Sequence, residues 1–213
     1  MDDLGTFLQK PPRPTDPDFA TLQILRGDGP PSKLVSSSLR RAISTMAGGF
    51  RNRLVASSSS TGKEQILIIP SLQEISRNPD TLSLTPAHTA VTASWIEKSS
   101  KVCDFEQVFG TQVDMSLHTG NKPIGTNGLI RMNEFCDYVF TDIKEEHIIV
   151  GGHSIWFRSF FRTYLPYTID HVAKTRKVVN CGIVALTLLK ASTPDGDKYM
   201  IDPQSVKVVH GGF

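Results

Sequence analysis

Two kinds of hydrophobic pattern follow each other along this chain. Short, largely apolar runs occupy residues 33–36, 66–69 and 147–150, and a longer one, which predicts one long strand, occupies residues 178–188. Such runs are typical of strands covered on both faces, as in a parallel sheet that lies between helices. Two further short runs, 199–201 and 206–209, flank Asp202 and Pro203, and they predict a closing hairpin or edge pair.

Apolar residues at helical spacing fill the stretches between these runs. The stretches 39–54, 129–143 and 154–165 each place their apolar residues on one face of a helix. Gly48 and Gly49 interrupt the first stretch, which predicts a close packing contact or an early end of that helix. The alternation of strands and helices predicts an α/β fold: a three-layer sandwich with a mostly parallel sheet and helices on both faces.

The same pattern predicts one domain with an arm and an insertion. Residues 1–19 are rich in proline and aspartate and carry few large apolar groups, so we expect a loosely ordered arm. The α/β domain then covers residues 20–213. Within it, residues 89–128 contain signals for one or two short helices and then a polar, glycine-rich stretch. We interpret this segment as an insertion or a lid that sets specificity.

Composition is that of an ordinary globular protein, and it excludes two classes of partner. Hydrophobic residues make up 39% of the chain and charged residues 21%. The net charge of +2 argues against a surface that binds a polyanion, so we expect no nucleic acid partner. The apolar runs are too short to cross a bilayer, and the N-terminus shows no apolar core of a signal peptide. We therefore expect a cytoplasmic protein with no membrane partner.

Neither metal nor disulfide chemistry is indicated. Cys103, Cys136 and Cys181 are odd in number and widely spaced, which is typical of reduced thiols in apolar surroundings. The histidines are scattered without the spacing of a metal site, and we expect His88 and His118 to be solvated. The sequence thus predicts no metal and no cofactor.

Polar residues follow three of the predicted strands. They occupy residues 36–41, 71–74 and 151–154. The carboxyl ends of parallel strands meet at one edge of a sheet, which is where ligands bind in such folds. We therefore expect Arg41, Glu74 and His153 to lie close together.

The segment around His153 has the features of a phosphate site. An apolar strand runs into Gly151 and Gly152, and an amphipathic helix begins just after His153. Glycine allows a sharp turn at this point, and the helix N-terminus offers free N–H groups and a positive dipole end. Arg41 could bind a phosphate bidentately, and Glu74 could protonate a leaving oxygen. His153 could donate a hydrogen bond to the phosphoryl oxygens.

These segments resemble the motifs of the histidine phosphatase superfamily, which includes the phosphoglycerate mutases. The matching segments are 37–45 (S-P-L-x-R-A-x-x-T, with a serine in place of the proline), 72–74 (L-x-E), 152–154 (G-H-S) and 180–188 (the asparagine-led strand that follows). The resemblance covers roughly residues 20–210. It implies catalytic roles for His153 and Glu74, and phosphate binding by Arg41, His153 and Ser154.

One motif of that superfamily is missing from this chain. The first strand of the family ends in R-H-G, which supplies the histidine that becomes phosphorylated and an arginine that holds the phosphate. No Arg-His dipeptide occurs here. The resemblance implies that this strand precedes Met1, or that the chain is a degenerate relative. We then expect a gap between the strands that start near Lys33 and His147, or a substitute segment from residues 1–20.

Three functions remain in competition at this point. The first is a phosphomonoester hydrolase or phosphomutase of this family, truncated and without the nucleophile that covalent catalysis requires. The second is a catalytically inactive relative that acts as a phosphate-ligand-binding or protein-interaction module. The third is an unrelated α/β enzyme in which His153 is a general base without Arg41 and Glu74 nearby. For the first two, the expected partner is a phosphorylated small molecule or a phosphoprotein. The sequence assigns neither substrate nor oligomeric state.

Overall fold

A parallel sheet forms the centre of the molecule. The computed structural model describes residues 2–57, 64–123, 125 and 127–213. The strands of the sheet are β1 (Ser32–Ser36), β2 (Ile66–Ile68), β3 (Val113–Asp114) and β4 (His147–Gly151). They pair in parallel in the order β3-β2-β1-β4. The prediction of a mostly parallel sheet is therefore confirmed.

Helices connect these strands. They are α1 (Asp2–Gln9), α2 (Phe19–Arg26), α3 (Arg40–Gly49), α4 (Arg51–Ser57), α5 (Trp95–Lys98), α6 (Phe105–Thr111), α7 (Gly128–Thr141) and α8 (Ser154–Tyr164). The predicted helical stretches 39–54, 129–143 and 154–165 are confirmed as α3 with α4, α7 and α8. In α7 the buried face differs from the prediction, because Arg131 and Phe135 are buried whereas Leu129 and Phe140 are exposed.

Alternate side chains of the strands pack into two separate cores, one on each face of the sheet. Leu34 and Ile66 belong to the first core, which also contains residues of α1, α3 and α6. Val35 and Leu67 belong to the second core, which also contains residues of α7 and α8. Both faces of the sheet are therefore covered by helices, as continuous apolar strands require. The fold is a three-layer α/β sandwich.

The strands that start near Lys33 and His147 lie side by side. β1 and β4 pair directly, with Ser32 opposite His147 and Ser36 opposite Gly151. The prediction of a gap or a substitute segment between them is therefore wrong. Both strands carry apolar side chains on both faces, so both can lie in the middle of the sheet between the two cores.

Residues 2–9 form α1 and do not form a loosely ordered arm. Leu4 and Leu8, one turn apart on the same helix face, are only 5% and 7% exposed and belong to the first core. The ring of Phe7 stacks on His210 with 4.2 Å between centroids. The prediction was wrong because the proline-rich composition begins only at Pro11, after the helix has ended.

The C-terminal strands form two separate antiparallel pairs. β5 (Ile183–Ala185) pairs with β8 (Lys207–His210), and β6 (Leu188–Thr193) pairs with β7 (Gly196–Ile201). The predictions of one long strand over 178–188 and of pairing between 199–201 and 206–209 are therefore wrong. The pairing of β7 with β6 follows from a turn at Pro194 and Asp195, which is completed by Gly196 at the start of β7 with a φ of 106° that favours glycine.

The two glycines of α3 show both effects that the sequence predicts for them. The helix ends at Gly49, and α1 packs closely against that residue. A Cβ atom on Gly49 would lie 2.6 Å from Cδ2 of Leu4, which is closer than carbon atoms approach without a shift. The absence of a side chain at Gly49 therefore lets α1 dock.

This contact predicts the effect of a methyl group at Gly49. We expect Gly49→Ala to lower the free energy of unfolding by about 1–2 kcal/mol in urea denaturation, because Leu4 must move out of its packed position. The matched control is Gly110→Ala in α6, where nothing lies within 4 Å of the new methyl group. That change should raise the free energy of unfolding by up to about 1 kcal/mol. A Gly49→Ala cost that is unchanged in a Leu4→Ala background would contradict the contact.

Candidate functional site

The residues that follow three neighbouring strands meet at one edge of the sheet. Ser37 follows β1, and His153 lies two residues after β4. Glu74 comes after β2 and a single turn of 3-10 helix over Pro70–Leu72. Because these strands are parallel, the three side chains belong to the same edge.

His153 lies at the start of α8 and is buried. It precedes the first helical residue, with extended backbone angles of φ −126° and ψ 147°. Its Nε2 lies 2.8 Å from Oγ of Ser37, which is itself fully buried. The N–H of Leu39 donates to the same Oγ at 3.3 Å. These contacts fix the orientation of the imidazole ring.

The ring of His153 is held in its neutral form. Burial first, and then the positive charges of Arg41 and Lys122, lower its pKa to about 3 from an ordinary value of 6.5. A neutral imidazole can donate a hydrogen bond from one nitrogen and accept one at the other. The ring is therefore a neutral group in positively charged surroundings.

Glu74 is held by backbone N–H groups. The carboxylate is 5% exposed. Its Oε1 accepts from the N–H of Ile75 at 2.8 Å, and its Oε2 accepts from the N–H of Ile155 at 3.4 Å. The carboxylate thus occupies part of the N-terminus of α8, close to His153, where its negative charge is favourable.

Arg41 is exposed and borders a cleft. Its Nη1 donates to the carbonyl of Asp80 at 2.6 Å, which joins the first turn of α3 to the segment after β2. The cleft has a volume of about 150 Å³, and Ser38, Arg40 and Thr85 also line it. Within the described residues, Oγ of Ser38 and Nε of Arg40 are buried and have no hydrogen-bond partner. This cleft therefore has polar groups to offer a ligand.

The sequence did not reveal Lys122, which lies in the predicted insertion. Its Nζ donates to the carbonyls of Glu74 and Ser76 and to Oγ1 of Thr81, the last two at 2.6 and 3.1 Å. Its N–H donates to Oε1 of Gln73 at 2.8 Å. A lone lysine in a polar loop carries no signal of such a role, because the contacts come from residues more than forty positions away.

Arg131 is a second cation that the sequence did not reveal. It lies on the buried face of α7, and its Nη1 donates to the carbonyl of Gln73 at 2.6 Å. Burial lowers the pKa of this guanidinium, and burial followed by the charge of Arg131 lowers the pKa of Lys122. The sequence carried no signal for this role, because adjacent residues of a helix point in different directions and Arg131 lies outside the apolar spacing.

Arg41, Glu74 and His153 follow strands that end at one edge of the sheet, but the cleft that Arg41 borders is not lined by Glu74 or His153. The charge of Arg41 acts on His153, and Glu74 contacts the helix turn that begins after His153. Ser154, the first residue of α8, is half-buried beside them. The third reading, in which His153 is a general base without Arg41 and Glu74 nearby, finds no support in this arrangement.

His118 is not solvated, and that prediction is wrong. The ring is fully buried, and its Nε2 lies 3.0 Å from the carbonyl of Thr85. Thr85 lines the cleft, so His118 lies behind the cleft wall. His88 is exposed, as predicted.

Few features of the described residues indicate another kind of site. In the described parts of the chain, no group of three or more histidine, cysteine, aspartate or glutamate side chains is arranged to hold a metal ion. Cys103, Cys136 and Cys181 are free thiols. No helix among the described residues is both long enough and apolar enough to cross a membrane.

Comparison of the chain with models of protein families, with curated proteins and with solved structures gave no match.

The neutral state of His153 predicts a dependence of stability on pH. The pKa is lower in the folded chain than in the unfolded chain, so only the unfolded chain gains this proton as the pH falls below about 6.5. Between pH 7 and pH 5 this group should lower the free energy of unfolding by about 2 kcal/mol. In denaturation experiments across this pH range, we expect the free energy of unfolding of the His153→Gln variant to fall by about 2 kcal/mol less than that of the unmodified chain.

The matched control for this experiment is His88→Asn. His88 is exposed, and its φ of 55° suits asparagine. This variant should keep the full pH dependence of the unmodified chain. Equal pH dependence in the His153→Gln variant and the unmodified chain would contradict a neutral, buried His153.

Proposed function

We propose that this edge of the sheet binds the phosphate group of a phosphorylated small molecule or phosphoprotein. The chain would then be a relative of the phosphoglycerate mutase-like histidine phosphatases that lacks their phosphorylated histidine. The observation that carries the proposal is the neutral, buried ring of His153 beside the positive charges of Arg41 and Lys122. A neutral donor near two cations suits a multiply charged anion.

Among the described residues, the cations at this edge donate their hydrogen bonds to uncharged acceptors, although the carboxylate of Glu74 lies near enough to act on Lys122 and Arg131. Arg41, Lys122 and Arg131 donate to backbone carbonyls, and the carboxylate of Glu74 accepts from backbone N–H groups. Carbonyl oxygens hold the cations in place without cancelling their charge. An arriving phosphate would therefore meet cations that are already held in position.

Turnover through a phosphohistidine requires a nucleophile that this arrangement does not offer. Nε2 of His153 is engaged by Ser37, and the ring of His118 lies behind the cleft wall. Loss of the nucleophile from a catalytic group can reduce the rate about a millionfold while binding survives. We therefore expect the chain to bind a phosphate group and to show negligible hydrolase or phosphomutase turnover.

Inorganic phosphate and orthovanadate are suitable probes of this site. We expect both to bind the chain, and we expect Arg41→Gln to weaken the binding at least about tenfold in calorimetric titration, because a charge-assisted contact with the anion is lost. Arg41→Lys should weaken it less, since it keeps the charge and loses the bidentate geometry. The matched control is Arg162→Gln, an exposed arginine in the last turn of α8.

One result would contradict phosphate binding at this edge, and a second would contradict the expected lack of turnover. Equal weakening by Arg41→Gln and Arg162→Gln would mean that the anion binds through general charge and not at this edge. Robust hydrolysis of an aryl phosphate by the chain, abolished by His153→Ala, would leave the site intact but overturn the expectation of negligible turnover.

A further inference from the structure

The β5–β8 pair lies in the same layer as the main sheet. Ile183 on β5 and Val209 on β8 pack against the first core, as Ile149 of β4 does. Val184 on β5 packs against the second core, as Ile148 and Val150 of β4 do. The pair therefore presents its two faces to the same two cores as the main sheet.

This pair is nevertheless not bonded to the sheet. Among the described strands, β4 pairs with β1, and β5 pairs with β8. Contacts from the flanking layers hold the pair in place. Phe7 of α1 stacks on His210 on one side, and on the other the rings of Phe161 of α8 and Phe213 lie 5.9 Å apart between centroids.

The free edge of β4 can be assigned residue by residue. The carbonyl of Gly151 accepts from the N–H of Ser37 at 2.9 Å, so the backbone groups of Gly151 face β1. Backbone groups alternate sides along a strand, so Ile149 also faces β1, while the N–H and C=O of Ile148 and Val150 point to the other edge. Those groups have no hydrogen-bond partner among the described residues.

The side chains of β4 are also incompletely covered. All its residues are half-buried, whereas Leu34 and Val35 of the neighbouring β1 are fully buried. Ile183 and Val184 on the far side are half-buried as well. An apolar strand that faces two cores and still reaches solvent lacks a neighbour on its open edge.

We propose that this open edge of β4 is a docking site for an extended segment of a partner polypeptide. The segment would add a strand between β4 and the β5–β8 pair. Because a core lies on each face, its side chains must be apolar on both faces, and β4 offers a length of five residues. A second copy of this chain is a poor occupant, since its strands apolar on both faces, such as β1 and β2, are enclosed in its own sheet.

A strand added in parallel would end at the edge where His153 lies. The partner could then place a side chain beside His153, and this consequence alone rests on the proposed phosphate site. The docking itself rests on β4 and the two cores, and it is tested without phosphate.

The test is amide hydrogen exchange by NMR on the full chain. The probe is a synthetic peptide of five consecutive valine and isoleucine residues between solubilising lysines. In the free chain we expect the amides of Ile148 and Val150 to exchange fast and those of Ile149 and Gly151 to exchange slowly. The peptide should slow exchange at Ile148 and Val150 by at least about tenfold, because it closes their hydrogen bonds. The same peptide with alternate amides N-methylated is the control.

Three outcomes would overturn the proposal. Slow exchange of Ile148 and Val150 in the free monomer would mean that the edge is already covered. Equal protection by the N-methylated peptide would mean that no strand is added. Protection that rises with protein concentration, together with a dimer in sedimentation, would identify a second copy as the occupant.

Discussion

The direct parallel pairing of β1 with β4 is the constraint on which the rest of the structure depends. It places Ser37 against His153 and brings the first turn of α3, with Arg41, to the same edge. A Cβ atom on Gly151 would lie 2.4 Å from Cγ of Met46, so glycine at this strand end also lets α3 approach. A shift of one residue in this register would exchange the side chains of one core for those of the other and would move Ser37 away from His153.

Burial and fixed positive charges together determine the protonation state of His153 in the candidate site. The ring of His153 is neutral because it is desolvated and has Arg41 and Lys122 for neighbours. Backbone carbonyls hold Lys122 and Arg131, so their charges persist at the site. The site combines immobile cations with a neutral donor, an arrangement that suits an anion and gives the histidine little strength as a base.

Patterns within one segment predicted helices α3, α7 and α8, strands β1, β2 and β4, and the polar strand ends correctly. Contacts between segments that are distant in the sequence could not be predicted from such patterns. The spacing of apolar residues and the polar residues after strands placed Arg41, Glu74 and His153 at one edge. The role of Lys122 could not be predicted, because its hydrogen-bond partners lie on another loop. The contact of Glu74 with the N-terminus of α8 could not be predicted either, because it depends on where α8 begins. The packing of α1 could not be predicted, because Leu4 and Leu8 join the core only where Gly49 lets α1 approach α3.

The most direct test of this account is the state of the His153 ring with and without phosphate. The imidazole nitrogen signals of the labelled full chain can be followed by NMR at pH 7 during titration with inorganic phosphate. The account predicts a neutral ring in the free chain, ring signals that shift to saturation, and a higher pKa of His153 in the complex, because the anion offsets the charges of Arg41 and Lys122. A protonated ring in the free chain, or ring signals that stay unchanged while phosphate saturates the protein, would contradict it.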